Sequence, residues 1–119
     1  MRVWLAKRDH SLDNLLDLHG QILVVDDKGG HWVKFEVRQV PVSAERPHGL
    51  NYSLTLHAAS GERLVGFDNA HKVKGTKDAR RDHKHRFKTI KPYAYKDAAT
   101  LLEDFWETVD KVLKERGVL

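Results

Sequence analysis

Cysteine is absent from this chain of 119 residues, proline occurs three times and methionine once. Without thiols there are no disulfides, no thiolate metal ligands and no cysteine nucleophile, a usage that fits a reducing cytoplasm. No stretch reaches the roughly 18 apolar residues that a membrane span needs, so no membrane partner is expected. The N-terminus, MRVWLAKRDH, has neither the apolar run nor the small-residue cleavage site of a signal peptide, and export is not expected. A G-x-S-x-G elbow, a P-loop and a dinucleotide fingerprint are missing too, which removes the usual serine-nucleophile and nucleotide-binding readings. There is no internal repeat. The length suits one core, and residues 1–119 are read as a single domain.

What the chain does have is charge, unevenly placed. The net charge is +4. Between Arg63 and Lys96 eleven Lys or Arg stand against three Asp, so this stretch carries the excess and the remainder is mildly acidic. A local basic segment of this kind faces either a polyanion or plain solvent.

Periodicity supplies the elements. Ser11 reads as a helix cap, with Leu12, Leu15 and Leu16 at helical spacing and Gly20 as the stop. The apolar run in Gln21–Asp26 predicts a buried strand, ended by the turn Asp27-Lys28-Gly29-Gly30. His31 to Val40 alternates, with Val33, Phe35 and Val37 on one face and Lys34, Glu36 and Arg38 on the other. After the loop Pro41–Gly49, Leu50, Tyr52, Leu54 and Leu56 alternate with Asn51, Ser53, Thr55 and His57. Arg63–Asn69 reads as the next strand, and His83–Lys91 as a fifth, ended by Pro92. Asp97 caps a helix reaching Arg116, whose stripe of Leu101, Leu102, Phe105, Trp106, Val109, Val112 and Leu113 faces the core. The fold class is therefore α+β: an antiparallel meander of four to five strands on a C-terminal helix, with a short N-terminal helix.

Chemistry concentrates between Gly66 and Arg86. Asp68-Asn69-Ala70-His71 closes a strand, where Asp and Asn either shape a turn or present Asp68 beside His71. In Asp82-His83-Lys84-His85-Arg86 an extended backbone places both imidazoles on one face and Asp82, Lys84 and Arg86 on the other. Imidazole, imidazolium and guanidinium together suit metal-free RNA cleavage: a base deprotonates the 2′-hydroxyl, an acid protonates the 5′-oxygen, and cations hold the phosphate. The candidate catalytic residues are His71, His83, His85, Asp68 and Arg86. The candidate nucleic-acid contacts are Arg80, Arg81 and Lys84, with Lys34, Arg38, Asn51, Ser53 and His57 lining the polar sheet face. No cofactor is expected on this reading. Two alternatives stand beside it: a metal centre built from Asp68, His71, His83 and His85, and a protein that grips RNA or DNA without cutting it.

Five stretches give the chain a recognisable pattern: WVKFEV at 32–37, ERPHGLNYSLTLH at 45–57, GFDNAH at 66–71, DHKH at 82–85 and LLEDFWETVDKVL at 101–113. From about residue 11 to 115 the chain resembles the TumE family of prokaryotic toxins. That resemblance implies the toxin half of a toxin–antitoxin pair, acting in the cytoplasm and neutralised by an antitoxin carrying a helix-turn-helix. It marks Asp68, Asn69, His71, Asp82, His83 and His85 as matching family motifs without giving their roles. By analogy of fold with small ribonuclease toxins it also implies a sheet like that of RelE or barnase and an RNA substrate.

Overall fold

The computed structural model describes residues 11–69, 82–86 and 89–119. These form two helices and one sheet: α1 (Ser11–Asp17), β1 (Ile22–Val24), β2 (Trp32–Gln39), β3 (Leu50–His57), β4 (Arg63–Asp68), β5 (His83–Arg86), β6 (Thr89–Pro92) and α2 (Ala98–Glu115). The six strands pair in chain order and every pair is antiparallel. Meander topology is what short connections between alternating segments produce.

The central strands obey their pattern. In β3, Leu50, Tyr52, Leu54 and Leu56 are buried while Asn51, Ser53, Thr55 and His57 are half-exposed. One face of the sheet thus packs on the helices and the other stays open. Phe35, Phe67 and Phe105 are each 0% exposed, and Phe105 meets the other two edge-on at 5.8 and 6.0 Å. Burying side chains of this size contributes about 1.5–3 kcal/mol each, so α2 is held chiefly by its apolar stripe. Its ends are chemically fixed. Asp97 accepts from Thr100 N. At the other end Gly117 has a φ of 77°, and Val118 N reaches Leu113 O while Gly117 N reaches Lys114 O, a Schellman closure. Ser11 Oγ accepts from Ala99 N, tying α1 to the start of α2.

Three features differ from expectation. The run Gln21–Asp26 yields only the three-residue β1, and Ile22 and Val24 are 58% and 66% exposed. Among the described residues it is the terminal strand, with no outer neighbour to cover it. The segment expected as one strand, His83–Lys91, forms two antiparallel ones, bringing Lys84 opposite Lys91. That return delivers Tyr93 to α2, where its hydroxyl donates to Asp104. Finally, the β3–β4 register shifts between Leu56 and His57. Leu56 pairs with Val65 and His57 with Arg63, leaving Leu64 as the extra residue of a bulge. Both Leu64 and Val65 are consequently buried, although neighbours in a regular strand point to opposite faces.

Candidate functional site

Antiparallel partners share a face, so the register lists what the open side of the sheet carries. One row runs Glu36, Ser53, Asp68, His83 and the next Lys34, Thr55, Gly66, His85. Trp32, His57 and Arg63 form a third. Two hollows lie along this face and share Lys34, Glu36 and Ser53. One, of about 490 Å³, extends to His19, Arg38 and Asn51. The other, of about 290 Å³, extends to Trp32, His57 and Arg63.

Asp68 and His85 are diagonal neighbours across β4 and β5, and His85 Nε2 lies 2.9 Å from Asp68 Oδ2. A carboxylate accepts, so Nε2 carries the proton and Nδ1 of the neutral ring holds a bare lone pair. That Nδ1 is enclosed and has no hydrogen-bond partner among the described residues; the same is true of His83 Nδ1. The two imidazoles stand 6.3 Å apart, centroid to centroid. Burial pushes the His85 pKa below the usual histidine value, and Arg63 and His83 add to that effect while Asp68 opposes it. Arg63 owes its influence to Gly66. Built at Gly66, a Cβ would lie 3.5 Å from Arg63 Cδ and 3.7 Å from His85 Cβ, which places the two side chains together over bare backbone.

The other anticipated residues fall into separate groups. Asn69 is structural: its Oδ1 accepts from Tyr52 N and its Nδ2 donates to Leu50 O, extending the β3 ladder by a side chain. Asp82 accepts from the Tyr52 hydroxyl at 2.7 Å, on the side away from His83; burial, with Asp82 beside it, pushes the Tyr52 pKa up. His57 is committed at both nitrogens, to Gly61 O at 3.0 Å and Thr55 Oγ1 at 2.9 Å, and stacks on Trp32 at 4.1 Å. It can shape a groove but has no free proton site. Asn51 accepts from the Arg46 guanidinium, and Lys34 pairs with Glu36 at 2.9 Å, holding the Glu36 carboxyl below its usual range.

Lys84 and Arg86 project to the helix side. Lys84 Nζ sits 5.5 Å over the Phe67 ring, and Arg86 pairs with Glu115 of α2. Neither stands beside the imidazoles, because alternation along β5 sends 84 and 86 opposite to 83 and 85. His71, Arg80 and Arg81 lie outside the described residues. Among the described residues no three ligating side chains converge as a metal site.

Arg63 is the residue that sequence reasoning missed. Counted back from Asp68 by twos, it belongs on the core face; the bulge at Leu64 turns it outward. The chain from buried Asp26 and His31 to exposed Arg116 was missed as well. Asp26 Oδ2 lies 2.6 Å from His31 Nδ1, and Arg116 Nε donates to His31 Nε2 at 3.0 Å. His31 holds the Asp26 carboxyl below its usual range against the effect of burial. The signal was present in the hairpin sequence, an Asp five residues before a His around Gly29-Gly30, but it reads as turn chemistry.

A family model described as Toxin TumE matches residues 16–113. No curated protein and no solved structure matches the chain.

Proposed function

The chain belongs to the TumE toxin family, the toxin component of a toxin–antitoxin system, and from that premise we propose that it is a metal-independent endoribonuclease acting from the open face of the sheet. The observation that carries this reading is the Asp68–His85 pair at 2.9 Å. Its carboxylate fixes the imidazole tautomer, and burial keeps the ring neutral, which is what a general base requires.

In the proposed reaction the His85 imidazole takes the proton of a ribose 2′-hydroxyl, which requires the enclosed Nδ1 to open to the substrate when RNA binds. The oxygen attacks the adjacent phosphorus, the bond to the 5′-oxygen breaks, and a 2′,3′-cyclic phosphate forms. The departing oxygen receives its proton from a second imidazole, His83 or His71. Arg63, which lies beside His85 over Gly66, takes the non-bridging oxygens in a fork. Lys34, Arg38, Asn51 and Ser53 carry the flanking strand along the hollows.

The test is cleavage of single-stranded RNA by the purified protein in EDTA. Products ending in a 2′,3′-cyclic phosphate are expected. His85→Ala lowers the rate by about 10²–10⁴ while circular dichroism stays native, and it relieves growth arrest. Cleavage that needs an added divalent ion points instead to metal chemistry at Asp68 and the histidines. Tight binding with no product, equal in wild type and His85→Ala, points to a toxin that only grips its target.

A further inference from the structure

The helix side of the β5–β6 hairpin carries cations that the proposed reaction does not use. Lys84 and Lys91 are directly opposed across the two strands. Like charges so placed repel, and among the described residues no carboxylate pairs with either. They line a hollow of about 400 Å³ together with Arg86 and Thr89. Beside them β6 ends the sheet: all four of its residues are exposed, and among the described residues no strand pairs beyond it.

We propose that this edge is a docking site for an acidic, extended segment of a partner protein, which pairs with β6 and sets a carboxylate beside Lys91, toward which the long Lys84 side chain can reach. The charge pattern favours such a segment over the two obvious competitors. A second copy of β6 would bring lysine against lysine, the usual way an edge is kept from self-pairing. An RNA strand brings a phosphate at every step, and next to Lys84 it would meet Asp104 and Glu107, which line the adjoining hollow with Lys111. A single carboxylate on a strand following β6 meets only the lysines. Strand addition supplies affinity through main-chain bonds, and the charge supplies selection. Family membership implies an antitoxin partner, and the segment is assigned to it. Since the site lies on the face opposite Asp68 and His85, the segment and RNA bind together. The inference stands on the hairpin alone and survives or fails independently of the nuclease reading.

The probe is a labelled peptide of alternating threonine and glutamate, titrated by fluorescence anisotropy against the full chain at low salt. Controls are the threonine–lysine peptide and single-stranded oligouridylate. The acidic peptide is expected to bind with or without oligouridylate present, the threonine–lysine peptide is not, and binding slows amide exchange at Ile90, whose N–H points away from β5. Lys84→Gln with Lys91→Gln weakens it about tenfold, whereas Asp68→Asn leaves it unchanged. Three outcomes overturn the proposal: no binding of the acidic peptide, binding unaffected in the lysine variants, or displacement of the peptide by oligouridylate, which makes the hollow a phosphate site.

Discussion

Opposed influences act on the proton of His85. Asp68 favours the imidazolium, while burial, Arg63 and His83 favour the neutral ring and prevail. Because the folded-state pKa is depressed, the unfolded chain takes up the proton first as pH falls. The share of stability tied to His85 is thus intact above the ordinary histidine value of 6.5 and is lost as pH drops through the folded value. The acidic limb of a pH–rate profile is accordingly expected below pH 6.5, and Arg63→Gln should move it upward by removing one depressing charge. A limb that stays put in that variant separates Arg63 from the base. Neighbouring Asp68 and Asn69 divide the labour differently. Asn69→Ala leaves the buried Tyr52 N and Leu50 O without partners, so chemical denaturation should show a loss of about 2–3 kcal/mol. Asp68→Asn keeps the volume and should cost activity far more than stability. The sequence made Asp68, His83 and His85 legible because strand alternation alone puts the two imidazoles on one face. It hid Arg63, since a bulge has no reliable signature in two adjacent apolar residues.

Elements at the sheet's two edges show where pattern reading stops. A continuous apolar run such as Ile22-Leu23-Val24 looks the same whether it is central or terminal; only the pairing order leaves it uncovered. The β5–β6 return was illegible for a related reason: charged residues on both faces of 83–91 erase the period that would mark a turn. By contrast β2, β3 and α2 were plain, because each buries one side of a long periodic segment. The exposed edge carries its own expectation. Val24→Lys adds a charge at a position that is 66% exposed, so stability should change by no more than about 0.5 kcal/mol. Light scattering at high protein concentration should fall in the same variant, as charged edges resist pairing. A large stability loss would instead show that something in the folded chain covers Val24.

For the molecule as a whole, the sheet separates two cationic surfaces with different tasks. Arg38 and Arg63 are exposed and line the hollows of the open face, whereas Lys84 and Lys91 sit across the sheet, Lys84 also lining a hollow with Asp104 and Glu107 of α2. Net charge alone treats these four as equivalent. Geometry does not, and salt dependence tells them apart. In a His85→Ala background, which prevents cleavage, log K for oligouridylate should fall linearly with log salt concentration. Each phosphate contact removed flattens that slope by about 0.7 for a single strand, so Arg38→Gln with Arg63→Gln should lower it by roughly 1.4. Lys84→Gln with Lys91→Gln removes the same total charge and should leave it unaltered. Equal flattening by both pairs would mean that RNA senses the overall field of a basic protein, and the division of labour between the two faces would be lost with it.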